Sequence, residues 1–334
     1  MDISFIIPFY NESDFLRRTL LSIDDQVLDN IRAEVFLVDG MSTDGSEEIA
    51  TEFAKNNSND KIRFIVLKNI DKKTPYAFNL GIEKANGEII GFGGAHTIYP
   101  EDYFYNSVNL FNEIDAAVIG GGHTNYLPDN DTIIANAMAC LYKSPIGSGV
   151  AKYHRLNKPA YVDTVYGGFY KKEIFIDIGT FNTSLTKNQD NELNTRVISA
   201  GYKIYFHPIL STDYVQKTNL KLYINRAYSF GRYHFETWKA NYQSIRLRHL
   251  IPGFFCIYLL LIIFLLLLSV TNILIMIPLI IYFILILING IYFIFSVGIR
   301  IGLLTIPIFI LYHICYGVGV ILGLFFCIGN ENKK

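Results

Sequence analysis

The sequence predicts an α/β fold with a mostly parallel central sheet, followed by a membrane-embedded tail. Three observations carry this. Over about the first 120 residues, short apolar runs rich in β-branched side chains alternate with segments of helical spacing. Hydrophobic residues make up 51% of the 334 residues and charged ones only 18%. The apolar excess is concentrated after Arg248, in three long runs.

Taken in order, ISFIIPF (residues 3–9) is a short buried strand, and SDFLRRTLLSI after it has helical spacing. AEVFLVDG is a second strand. The helix STDGSEEIATEFAKN follows, with Ser42 or Asp44 as its cap and Glu47 and Glu48 in its first turn. IRFIVL is a third strand, PYAFNLGIEKANG a helix closed by Gly87, and EIIGFGG a fourth strand. PEDYFYNSVNLFNEI is a helix and AAVIGGG a strand. Such alternation places helices on the faces of a mostly parallel sheet. Beyond about residue 125 the alternation loosens. TIIANAMACLYKSP reads as a helix, and YVDTVYGGFYKKEIF as a strand, a glycine turn and a further element. QDNELNTRVISAG is a capped helix ending at Gly201, and KIYFHP a strand.

Residues 219–249 are rich in Tyr, Phe, Arg and Lys, as amphipathic helices at a membrane surface are. A bilayer core about 30 Å thick takes roughly 20 helical residues to cross. The second and third apolar runs are long enough, and the first, near 254–270, is at the lower limit. Arg246, Arg248 and His249 precede the first run and Arg300 divides the other two, which places both flanks in the cytoplasm. Three spans then put Lys333 and Lys334 outside, against that rule. A re-entrant or interfacial first segment removes the conflict and the tight turn at Thr271–Asn272, so two to three membrane helices are expected over 251–329.

The N-terminus MDISFIIPFY has no basic region, and its apolar run stops at Pro8, so it does not read as a signal peptide and the first 250 residues are expected in the cytosol. The sequons at Asn56 and Asn130 are then chance matches. Cys140, Cys256, Cys315 and Cys327 form no C-x-x-C pair and read as small buried apolar residues. A net charge of −1 gives no reason to expect a nucleic-acid partner.

Parallel sheets bind ligands at the carboxyl ends of their strands, and three strand ends look specialised. In PFYNES, Pro8 ends the strand, Tyr10 offers a ring for stacking, and Asn11 and Glu12 offer polar groups; a strand-to-helix turn capped by Ser13 explains the same residues. In VDGMSTDGS, Asp39 lies at a strand end, where a carboxylate can accept from a ribose or a base N–H, and Gly40 lets a ligand approach the backbone. No G-x-G-x-x-G run accompanies it. In GGAH, His96 is a metal ligand or an ordinary polar residue on a turn. Off the sheet, Asp190 and Glu192 in NQDNELNTRV point to different helix faces. One can face a site while the other serves the helix terminus or pairs with Arg196, four residues beyond Glu192.

Taken together and in order, IIPFYNE, FLVDGMSTDGS, KTPYAFNLGIEKANGEII, GGAHTIYP, VYGGFYKKEIF and NQDNELNTRV resemble the family 2 glycosyltransferases. The likeness covers about residues 2–235 and is nearest the membrane-anchored succinoglycan glucosyltransferase type. It implies a GT-A fold (nucleotide-diphospho-sugar transferase) over 1–218, interface helices over 219–250 and the membrane region after them. It also implies inversion at the anomeric carbon. The donor is a nucleotide sugar, with a UDP-sugar favoured, lodged by Pro8, Tyr10, Asn11, Glu12, Asp39, Gly40, Asn79, Gly94 and Ala95. Asp190 matches the catalytic base, and Tyr166, Gly167, Gly168 and Gln189 the acceptor side. Arg232 and His234, with Lys72 and Lys73 on a nearby loop, would meet the diphosphate; contact with anionic lipid accounts for these cations equally well. The family's Asp-x-Asp metal motif reads Gly94-Ala95-His96 here, so a divalent cation (Mg2+ or Mn2+) is expected with His96 as its remaining ligand and weakened affinity. The tail places a lipid-linked (polyprenyl diphosphate) oligosaccharide at the inner membrane as acceptor, with a multi-pass anchor and a cytoplasmic catalytic domain. Two alternatives stay open: a synthase charging polyprenyl phosphate with one sugar, and an inactive anchored protein that binds nucleotide sugar.

Overall fold

The computed structural model describes residues 2–126, 132–144, 146–147, 156–215, 219–244, 247–270 and 272–329. Asn130, Arg246, Lys333 and Lys334 lie outside these residues. The chain forms two compact units, Met1–Tyr126 with Ala151–Val215, and Leu127–Val150 with Gln216–Lys334. The excursion 127–150, expected within the first domain, therefore clusters with the C-terminal helices.

In the first unit, strands β1 (Ile3–Phe9), β2 (Ala33–Asp39), β3 (Ile62–Lys68) and β4 (Ile89–Phe92) run parallel in the order β3-β2-β1-β4. Beyond β4 come β9 (Tyr166–Lys171), β6 (Val118–Gly121), β10 (Ile204–Phe206) and β8 (Ala160–Val162). β9 runs antiparallel to both its neighbours, and β8 antiparallel to β10. A second sheet joins β5 (Thr97–Ile98), β11 (Thr212–Val215) and β7 (His123–Tyr126).

The strand runs are continuously apolar because both faces are covered. Ile3, Phe5, Ile7 and Phe9 alternate onto one face with Val35 and Leu37. There they meet α1 (Leu16–Asp24), α2 (Ser46–Asn57) and α4 (Tyr103–Glu113) through Leu20, Phe53 and Phe104. Ile6, Phe36 and Val38 point to the other face. They meet α3 (Thr74–Lys84), α6 (Ile174–Ile178) and α7 (Gln189–Ser199) through Phe78, Phe175 and Leu193. The helix α3 approaches so closely that a Cβ at Gly81 would lie 2.6 Å from the Ile6 side chain.

Register then places the strand ends. Phe9 pairs with Asp39 and Asp39 with Lys68, so β1 to β3 finish level. Phe92 pairs with Ile6, which leaves Gly93–His96 beside the last residues of β1. Because β9 is reversed and Phe169 pairs with Gly91, its first residues Tyr166–Gly168 reach the same edge.

The second unit contains α5 (Ile133–Lys143), α8 (Leu220–Ala240), α9 (Leu247–Leu267), α10 (Ile273–Val297) and α11 (Ile299–Gly329). Three stretches, His249–Leu267, Ile273–Val297 and Ile299–Phe325, are long and apolar enough to cross a membrane. The first qualifies because its helix begins at Leu247, earlier than the apolar run suggests. Glycines let α8 and α11 touch backbone to backbone: a Cβ at Gly231 would lie 2.2 Å from the Tyr316 carbonyl oxygen, and one at Gly319 equally near that of Tyr228. The excursion is tied in by polar bonds, Asn289 Nδ2 donating to Ser144 Oγ at 2.7 Å and His313 Nε2 lying 3.0 Å from the Gly147 carbonyl oxygen.

Candidate active site

The carboxyl edge of the large sheet opens into a cavity of about 450 Å³, a size suited to a small-molecule ligand. Its walls bring together Pro8, Tyr10, Glu12, Gly40, Gly94, Ala95, His96, Tyr166, Gly167, Gly168, Gln189 and Asp190. Sequence reasoning assigned each of these to a site. Asn69, Thr74, Tyr170, Phe181 and Lys187 also line it, with Lys72. Thr74 and Tyr170 fall within the quoted motifs without standing out there; Asn69, Phe181 and Lys187 come from loops that carry no recognisable spacing.

Two loops build the nucleotide end of the cavity. Asn11, in a left-handed conformation (φ 53°), accepts from Thr43 N through Oδ1 at 2.9 Å, and its own N–H donates to Ser42 Oγ at 3.1 Å. Ser13 N donates to Asp44 Oδ2 at 3.0 Å, and Glu12 N to Ser46 Oγ at 2.9 Å. The N-cap positions of α1 and α2 are Phe15 and Gly45, with no side-chain cap, and Asp44 divides its oxygens between the clasp and Ser46 N at the start of α2. Tyr10 stays 51% exposed, its ring available to stack on a base.

Three residues expected against the nucleotide serve the walls instead. Asn11 holds the clasp and is not among the cavity-lining residues. Asp39 is fully buried, and its carboxylate accepts from Ser42 N at 3.0 Å, so it shapes the turn on which Gly40 sits. Asn79 grips the Phe181 backbone in both directions, donating to its carbonyl at 2.8 Å and accepting from its N–H at 2.9 Å. That clamp holds Phe181 stacked on Phe78, with centroids 4.8 Å apart.

The GGAH loop is fixed by buried hydroxyls. Gly94 N donates to Tyr99 Oη at 2.9 Å, and Thr19 Oγ1 donates to the Ala95 carbonyl at 2.9 Å. Tyr103 Oη donates to the carbonyl of Gly167, whose φ of 56° suits glycine. The His96 ring packs edge-on against Tyr214, and its Nδ1 lies 3.6 Å from Glu12 Oε1.

Asp190 sits in the first turn of α7 with its side chain exposed on the cavity wall. Partial desolvation by the surrounding protein raises its pKa; the N–H groups of Asn191 and Asp190 and the charge of Lys187 pull the other way. Glu192 turns inward, and Arg196 grips it with Nε and Nη2 at 2.8 Å each. The same guanidinium donates to the carbonyls of Ile178, Gly179 and Thr180, so it anchors the loop leading to Phe181.

The two residues expected at the diphosphate lie on α8, in the helical unit. Arg232 packs over the Tyr233 ring. His234 is buried, hydrogen-bonds Tyr316 Oη and stacks on His249. Burial pushes its pKa down to about 4, so it is neutral at pH 7 and offers no charge to a phosphate.

Among the described residues no three His, Cys, Asp or Glu side chains converge as a metal cage. The cavity's single imidazole, beside a carboxylate, fits a divalent ion that takes its other ligands from a diphosphate and water.

A mostly parallel sheet with a reversed strand beside β4 and a carboxylate-bearing cavity at its carboxyl edge defines a GT-A-like α/β protein. A mannosyltransferase from Pyrobaculum calidifontis, solved with GDP-Man and Mn2+, shares this fold: the TM-score is 0.58 at 16% identity, over 94% of this chain and 86% of that one. Residues 4–179 match the family model described as Glycosyl transferase family 2, so the chain belongs to that family and is a glycosyltransferase. It is 28% identical over 233 residues to the dolichyl N-acetyl-alpha-D-glucosaminyl phosphate 3-beta-D-2,3-diacetamido-2,3-dideoxy-beta-D-glucuronosyltransferase of Methanococcus voltae, covering 69% of this chain and 71% of that protein. It is 24% identical over 251 residues to the succinoglycan biosynthesis protein ExoA of Rhizobium meliloti strain 1021, covering 74% and 73%.

Proposed function

We propose that this protein transfers a sugar, with inversion, from a nucleotide-diphosphate donor to a lipid-linked saccharide at the cytoplasmic face of a membrane. The observation that carries the reading is the shared cavity, with Tyr10 and Gly40 at one part of its wall and Asp190, its pKa raised by desolvation, at another. Tyr10 stacks on the base, and the open backbone at Gly40 accepts the ribose. The acceptor enters past Tyr166–Gly168. Its hydroxyl oxygen attacks the anomeric carbon as the hydroxyl proton passes to Asp190. The bond to the diphosphate breaks, and its electron pair leaves with the diphosphate through an oxocarbenium-like transition state. Lys72 and Lys187, both in the cavity wall, meet the developing charge. A divalent cation held at His96 would neutralise the diphosphate further. Support for a lipid-linked acceptor comes from the dolichyl-phosphate sugar in the name of the Methanococcus relative and from three helices apolar enough to cross a membrane.

The test is Asp190→Asn in full-length protein. Donor binding by calorimetry should stay within a few-fold of wild type while transfer is lost. Wild-type turnover in this variant removes Asp190 as the base.

A further inference from the structure

The motif that ordinarily offers two acids offers one imidazole here, and the geometry points to Glu12 as the second protein ligand of the donor-bound cation. This inference rests on the donor reading above. Two observations carry it. First, Glu12 comes from the loop after β1, across the strand ends from His96, yet both side chains line the cavity. Their side chains are only 12% and 20% exposed, and Glu12 Oε1 lies 3.6 Å from His96 Nδ1. With ligand distances of about 2.1 Å, cis donors on one octahedral ion stand about 3 Å apart and trans donors about 4.2 Å. The observed separation is a little wider than the cis spacing, so small side-chain rotations would bring both groups onto one ion without moving either loop.

Second, the place of the motif's first acid is crowded. A Cβ at Gly94 would lie 3.1 Å from Thr97 Oγ1 and 3.4 Å from Tyr166 Oη, and these two hydroxyls are hydrogen-bonded at 3.1 Å. A side chain at 94 therefore starts against a formed contact. The carboxylate reaches the cation from the β1 loop instead. That loop is held in place by bonds to the next one, Glu12 N to Ser46 Oγ and Asn11 Oδ1 from Thr43 N. Glu12 is thus a metal ligand as well as a wall residue.

The experiment is direct Mn2+ binding to the detergent-solubilised full-length protein, read from loss of the free Mn2+ electron paramagnetic resonance signal, with UDP and separately with GDP. Glu12→Gln keeps shape and hydrogen bonding but removes the charge. It should weaken nucleotide-dependent Mn2+ binding by at least the roughly 10-fold typical of disturbing an outer-shell partner. The same loss should appear when Glu12→Gln is added to His96→Ala, because two ligands act separately. Nucleotide occupancy is matched between the variants, so that a direct loss of nucleotide binding does not read as a loss of Mn2+. If Glu12→Gln changes Mn2+ affinity only while His96 is present, Glu12 merely orients the imidazole and the inference is overturned. Unchanged Mn2+ affinity in Glu12→Gln overturns it too. Wild-type protein that binds neither nucleotide overturns the donor reading, and this inference with it.

Discussion

Removing the Arg196 guanidinium should unsettle the catalytic unit far more than a surface charge would. Arg196 holds the buried carboxylate of Glu192 through two bonds of 2.8 Å and ties down three successive carbonyls, Ile178 to Thr180. Glu192 is 3% exposed, so Arg196→Ala strands a buried charge. Breaking such a pair from one side costs about 3–5 kcal/mol. Replacing both partners by apolar residues is far cheaper, so Glu192→Leu/Arg196→Met should recover half or more of the loss; the carbonyls near solvent find water. The assay is hydrogen exchange of the β1 and β2 amides by mass spectrometry, which reads the stability of this unit apart from the membrane helices. A loss below about 1 kcal/mol in Arg196→Ala, or a double variant no better than the single one, refutes the reasoning.

Three further outcomes follow from the same geometry. The Asp190 pKa is raised above its ordinary 3.8 by desolvation, so the rate should fall on the acid side with a midpoint above that value; a midpoint at or below it contradicts the raised pKa. A raised folded-state pKa gives a stabilising contribution below the unfolded pKa that is lost as pH rises through the folded one. Asp190→Asn should therefore unfold at higher temperature than wild type at pH 7, with the gap closing in acid. Gly167→Ala should lose about 1 kcal/mol or more in thermal unfolding, because φ is 56° and the new Cβ would stand 2.8 Å from Tyr103 Oη; an unshifted transition shows the turn can relax. Tyr10→Ala should weaken nucleotide binding measured by calorimetry by about 1–3 kcal/mol, the usual worth of base stacking, and unchanged affinity places the base elsewhere.

The layered fold was legible because each β1 to β4 run is apolar on both faces and each is followed by helical spacing. The pairing of Glu192 with Arg196 was equally legible, since four residues along a helix bring two side chains together. What the sequence concealed is tertiary. Asn11, Asp39 and Asn79 look like ligand contacts because polar residues at strand ends often are, yet here their hydrogen bonds go to neighbouring backbone. Ser42 looks like a cap but bonds the loop after β1, while Asp44 divides its oxygens between Ser13 N of that loop and Ser46 N at the start of α2. His234 reads as a basic residue on an amphipathic helix, and only the placement of Tyr316 and His249 shows it buried and neutral. Lys187 and Phe181 carry no signal at all, since an irregular loop brings them to the cavity. The excursion 127–150 joins the C-terminal helices through contacts with residues far along the chain, such as Ser144 with Asn289.

The most direct test is to incubate the purified full-length protein with radiolabelled nucleotide sugars and membrane lipids that carry lipid-linked saccharides, then analyse the organic extract. We expect label in a lipid-linked saccharide one sugar longer than the acceptor, absent with Asp190→Asn. Label recovered only as a single sugar on polyprenyl monophosphate, or only as free sugar, would contradict the account.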